Sequence, residues 1–143
     1  MRVMFDTNVY DVLEKDVSQL GAITNKCEVY TTVVQENELR RIKDKSKRES
    51  IDKILKVISP KQVAAPFSFD NIDFGLFRFS CGQYEGLIEG NSRQMSNDSL
   101  IADAAIENDC ILITNDKRLA TRMRVNDFQV LEYDEFIAKI MES

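Results

Sequence analysis

The sequence predicts an α/β fold in which a parallel sheet is covered by helices on both faces. Two observations carry this reading. Short apolar runs of strand length alternate with stretches whose apolar residues recur at helical spacing. The strand runs are also apolar at nearly every position rather than at every second one, as in strands buried on both sides. Proportion supplies a third: 143 residues, 43% hydrophobic and 30% charged, with five glycines and two prolines, suit one compact domain over residues 1–143.

Taken in order, residues 2–5 (Arg-Val-Met-Phe) make a first strand ending in Asp6-Thr7-Asn8, and a short helix follows to about Glu14. A weak helical stretch lies after Gly21. Residues 28–32 form a second strand, and Thr31 or Thr32 caps a helix through Val33, Val34, Glu38, Leu39 and Ile42. Ile51, Ile54, Leu55 and Ile58 mark another helix that stops at Ser59-Pro60. From 61 to 93 the periodicity fails. This stretch holds four of the glycines and five phenylalanines, and it predicts loops, one short strand at 62–65 and a packed aromatic cluster. Asn97-Asp98 then starts a helix with Ile101, Ala102, Ala105 and Ile106 on one face. Residues 110–114 form a strand running into Asn115-Asp116, followed by a basic helix with Leu119 and Met123, a last strand at 128–131 and a closing helix at 133–141.

The absence of histidine excludes Ser-His-Asp and Cys-His catalysis and His-ligated zinc. Any general base must be a carboxylate, Lys, Tyr, Cys or metal-bound water. None of the five glycines builds a phosphate-cradling loop, which disfavours a nucleotide-cofactor enzyme. Cys27, Cys81 and Cys110 are odd in number and widely spaced, which fits small buried hydrophobes in a reducing compartment. No run of 18 apolar residues occurs, and Asp6 arrives too early for a signal peptide, so the expectation is a cytoplasmic protein with no membrane partner. The net charge is −5, yet residues 40–56 hold eight cations against three acids, leaving −10 for the rest.

In open parallel sheets, ligands gather at the carboxyl ends of the strands. Asp6 and Asp116 both fall there, Glu38 lies on the inward face of its helix with Val34 and Ile42, and Asp98 opens another helix. Several inward carboxylates need a cation to compensate them. All-oxygen donors suit Mg²⁺ or Mn²⁺ rather than zinc, and such an ion supports phosphodiester hydrolysis without imidazole. Each acid also has a simpler role open to it, since Asp98 and Asp116 could serve only as helix caps. Asp6 lacks that excuse, because Thr7 or Asn8 could cap the next helix. Glu36 is the alternative to Glu38, but lies about 200° away around the helix.

With these residues in place, the sequence resembles the PIN-domain nucleases. The resemblance rests on Phe5-Asp6-Thr7-Asn8, Glu38-Leu39, the run from Asn97 and Asp98 to Ala105, and Ile111 through Thr114-Asn115-Asp116 to Leu119, in that order. It implies a Rossmann-like, three-layer α/β/α sandwich with a mainly parallel sheet. It also implies a Mg²⁺- or Mn²⁺-dependent ribonuclease, often the toxin of a bacterial toxin and antitoxin pair and often a homodimer. Carried over, Asp6, Glu38, Asp98 and Asp116 form the acidic quartet; Asp6, Asp98 and Asp116 hold the metal, Glu38 orients the hydrolytic water, and Thr7, Asn8 and Thr114 fix the carboxylates. The segment between Glu38 and Asp98 departs from the family pattern.

On the nuclease reading, Arg40, Arg41, Lys43 and Lys45, with Lys117 and Arg118, form a phosphate track for an RNA substrate; otherwise the run is a solvated helical face. Two other functions remain open: a non-catalytic RNA- or protein-binding module on the same fold, and an aspartyl-phosphate phosphotransferase with Asp6 as nucleophile. The latter is disfavoured because no second Asp follows Asp6 two residues on.

Overall fold

Among the described residues, five short strands, all parallel, form one sheet in the order β3-β2-β1-β4-β5. The structure, a computed structural model, describes residues 1–64 and 97–142; the side chains of Asn97 and Asp98 lie outside the described set. The elements are β1 (Arg2–Phe5), α1 (Thr7–Lys15), a 3₁₀ turn (Val17–Gln19), α2 (Leu20–Lys26), β2 (Glu28–Thr31), α3 (Val33–Arg40), α4 (Lys45–Ile58), β3 (Lys61–Gln62), α5 (Asn97–Glu107), β4 (Ile111–Ile113), α6 (Lys117–Val125), β5 (Val130–Leu131) and α7 (Tyr133–Glu142).

Two strands far apart in sequence, β1 and β4, lie side by side in the sheet. β1 pairs with β4 in the register Val3↔Ile111, Met4↔Leu112, Phe5↔Ile113, and the Asp6 amide extends that ladder by donating to the Ile113 carbonyl at 2.9 Å. Alternation along the strands divides the core in two. Val3, Phe5 and Ile113 pack with Tyr10, Leu13, Ile54, Phe136 and Ile140 from α1, α4 and α7, whereas Met4 and Leu112 pack with Ile101, Ala105, Leu119 and Met123 from α5 and α6. Phe5 meets Tyr10 and Phe136 edge-on at 5.9 and 5.7 Å, contacts worth about 0.5–1.5 kcal/mol beyond burial. The expected α/β/α layering with a parallel sheet is the architecture observed.

Differences from the expected boundaries are local. α3 ends at Arg40 rather than at Ile42, because the Arg41 amide turns back to the carbonyls of Asn37 and Glu38. α4 begins six residues before its first apolar anchor, since Asp44 Oδ1 accepts from the Lys47 amide and caps it. The strand expected at 62–65 is found at Lys61–Gln62, and Ala65 and the phenylalanine-rich stretch lie outside the described residues. Cys27 and Cys110 are free, half-buried and buried respectively, while Cys81 lies outside the described residues. Burial pushes the Cys110 thiol up to about 11. Among the described residues, no helix is long and apolar enough to cross a membrane.

Candidate functional site

β1 runs into α1 with no loop between them, so Asp6 itself is the helix N-cap. Thr7 or Asn8 could have met the capping need, but α1 begins at Thr7, so the one residue between strand and helix, Asp6, occupies the capping position. The carboxylate does two jobs at once. Oδ1 accepts from the Thr7 amide at 2.8 Å. Oδ2 accepts from the Thr114 hydroxyl at 2.7 Å and from Asn8 Nδ2 at 3.3 Å.

Thr114 joins two strand ends. Its Oγ1 donates to Asp6 and accepts from the Asp116 amide at 3.1 Å. Asp116 Oδ1 in turn accepts from the amides of Arg118 and Leu119, capping α6, and no described residue donates to its Oδ2. Asn8 completes the link, since its Oδ1 accepts from the Asn115 amide at 3.2 Å. Asp6 and Thr114 are 1% and 0% exposed, so these contacts form where water competes least.

Glu38 rather than Glu36 stands beside this group. Glu38 Oε1 accepts from the Thr7 hydroxyl at 3.4 Å, whereas Glu36 Oε2 accepts from Gln62 Nε2 at 3.0 Å on an exposed face. Burial raises the Asp6 pKa above the ordinary carboxylate value; the Thr114 and Thr7 hydrogen bonds oppose that rise, and the charges of Glu38 and Asp116 add to it. Two of the other three expected acids, Glu38 and Asp116, are therefore close enough to act on Asp6. The fourth, Asp98, is the second residue of α5, and its side chain lies outside the described set.

A bound cation would relieve the burial and mutual repulsion at Asp6, and carboxylate oxygens suit a hard divalent ion. Among the described residues, no three His, Cys, Asp or Glu groups stand together closely enough to hold a metal. The fit to Mg²⁺ or Mn²⁺ thus rests on donor chemistry and on the position of Asp6, and Asp6, Glu38 and Asp116 do not by themselves close a cage.

Arg40, Arg41, Lys43, Lys45, Lys117 and Arg118 are all exposed. Lys117 and Arg118 line a shallow basic hollow with Thr121 and Arg122 on the helix that Asp116 caps. Sequence reasoning missed three supporting groups. Asn115 Oδ1 accepts from the Tyr133 amide at 3.0 Å and ties in the start of α7. Gln35 is fully buried and donates to the Phe5 carbonyl at 3.3 Å, while its Oε1 accepts from the Thr32 amide; the spacing Thr-x-x-Gln was a legible capping-box signal. Lys47 forms an ion pair with Asp11 beside Glu38.

No family model matches the sequence, and no curated protein does. Solved structures do resemble the fold. VapBC2 from Rickettsia felis, bound to a DNA fragment from its promoter, aligns over 92% of this chain and 98% of its own at 17% identity and a TM-score of 0.59. VapBC-1 from nontypeable Haemophilus influenzae aligns over 94% and 99% at 16% identity and 0.58, and PAE2754 from Pyrobaculum aerophilum over 100% and 91% at 13% identity and 0.64.

Proposed function

We propose, for a chain whose fold is that of PIN domains, that it is a metal-dependent ribonuclease and the toxin of a toxin and antitoxin pair. The observation that carries this reading is the buried Asp6 carboxylate at the end of β1, bonded through Thr114 to the Asp116 turn and close to the charge of Glu38. An acid whose pKa is raised by burial, with acidic neighbours adding to the rise, at the carboxyl edge of a parallel sheet, supports a functional site there.

Asp6, Asp98 and Asp116 would hold Mg²⁺ or Mn²⁺. When bound, such an ion acidifies water and offsets charge on the phosphate undergoing hydrolysis. The Thr7 amide, Asn8 and Thr114 keep the Asp6 carboxylate in one orientation, and such supporting contacts are commonly worth 10- to 100-fold in metal affinity or activity. Glu38, held by the Thr7 hydroxyl, orients the attacking water and takes its proton. The exposed cations of α3, α4 and α6 bind backbone phosphates. The solved VapBC complexes support a protein antitoxin as partner, and a small neighbouring reading frame in the genome is where it would be encoded.

The deciding experiment incubates purified protein with labelled RNA in Mg²⁺ or Mn²⁺ and in chelator, for the wild type, Asp6→Asn and Asp116→Asn. Metal-dependent cleavage lost in both folded variants is the expected result. The same experiment separates this reading from a non-catalytic RNA- or protein-binding module on the same fold. Salt-sensitive RNA binding without cleavage under any metal condition would establish that reading instead.

A further inference from the structure

A cleft of about 290 Å³ opens beside Glu38, between α1, α3 and the start of α4. Thr7 and Asp11 lie one helical turn apart on the same face of α1, and Thr7 is bonded to Glu38. The cleft therefore leads from the acidic group one turn along α1 to Asp11, with Leu39 and Ile42 as its apolar lining. Its volume lies at the lower end of small-ligand sites.

Of the eight cations in residues 40–56, Lys47 is the one that lines this cleft. Arg48, its neighbour, is committed to the Ile42 carbonyl at 2.9 Å. Lys47 Nζ lies 2.7 Å from Asp11 Oδ1, with side-chain exposures of 35% and 51%. A pair that exposed is weak, so exchanging one anion for another at Lys47 costs little. An anionic strand approaching Glu38 and Asp11 meets two repelling charges, and Lys47 stands where that repulsion needs an answer.

We infer that this cleft is a nucleotide subsite for the strand flanking the cleaved bond, with Lys47 as its phosphate anchor and Asp11 as the resident anion that the phosphate displaces. The inference rests on the ribonuclease reading for the identity of the strand. A sugar and base would lie against Leu39 and Ile42 while the phosphate turns toward Lys47.

The test measures binding of a fluorescently labelled single-stranded RNA oligonucleotide to the full chain across a salt series, with Ca²⁺ in place of the catalytic ion. Cleavage in Mn²⁺ and the melting temperature are measured alongside. Lys47→Ala should weaken binding roughly three- to ten-fold and flatten the slope of log affinity against log salt by about 0.7, and Lys47→Arg should restore both. Asp11→Asn should tighten binding. Opposite signs are the signature, because a merely structural ion pair would give losses of the same sign in both variants. No change, or shifts of the same sign, overturns the subsite, and Asp6-dependent cleavage persisting in that case leaves the nuclease reading intact. Opposite shifts without cleavage in the wild type support the subsite and sink the nuclease reading. A wild type that binds no oligonucleotide overturns the subsite.

Discussion

The two edges of the sheet meet the same demand, turning the chain between strand and helix, with different chemistry. At the carboxyl edge, Asp6, Thr32 and Asp116 cap the helices that follow β1, β2 and β4. One of these capping residues also reaches a group more than a hundred positions away, Asp6 to Thr114, and Asn8 in the first turn of α1 makes a second long-range bond to the amide preceding Asp116. At the amino edge, the chain leaves α4, α5 and α6 through Ser59, Asp109 and Asp127, all in the left-handed region at φ 50, 56 and 62° and all exposed. Polar residues there solve a local backbone problem and touch little else. The two edges differ in reach: the Asp6–Thr114 bond is long-range and buried, whereas the amino-edge residues serve their own turns.

The largest expected effect comes from Asp6→Asn, with a cleavage loss on the order of a thousand-fold, the scale for removing one preorganised electrostatic contact. The same variant has a stability signature. Burial raises the folded-state pKa of Asp6 above its ordinary value of 3.8, so the folded protein binds that proton more tightly than the unfolded chain. Stability from this group is then greatest below the unfolded value and falls as pH rises toward the raised folded value. A pH series of melting temperatures should show that decline in the wild type and a flatter curve in Asp6→Asn. An unchanged curve would remove Asp6 as the buried acid that a metal relieves.

Thr114→Val keeps shape and removes the hydroxyl that serves both Asp6 and the Asp116 amide. It should cost about 1–3 kcal/mol in denaturant unfolding and roughly 10- to 100-fold in cleavage. Losing stability without activity would reduce Thr114 to a structural bridge. Neutralising Arg40, Arg41, Lys43 and Lys45 together should weaken RNA binding and flatten its salt dependence, whereas unchanged affinity would make them a solubilising face. The smallest effects belong to the amino edge. Asp109→Gly and Asp127→Gly should each add up to about 1 kcal/mol of stability by relieving left-handed backbone, with cleavage untouched. If either variant altered cleavage, the contrast between the two edges would fail.

Much of this was legible in the sequence because β1 and β4 are short runs of apolar residues ending in polar ones, so the runs announced strands and their ends announced an edge. Helical angle put Glu36 and Glu38 on different faces but left open which of them serves the site, and only the fold sets Glu38 beside Thr7. What could not be read depends on pairing across the fold. Nothing local marks Lys47, since its ion pair is with Asp11 on a different helix. Asn115 is meaningful only once α7 starts beside β4. The start of α4 was obscure because its first turns are polar and only Asp44 caps them. The left-handed turns carry Ser and Asp where glycine would have signalled them.

The β1–β4 pairing has a consequence for assembly. Asp6 and Thr114 stand 108 positions apart, and the hydroxyl reaches the carboxylate only after β4 docks on β1 in register. A chain in which those two strands have not yet paired therefore carries the acid without the partner that orients it.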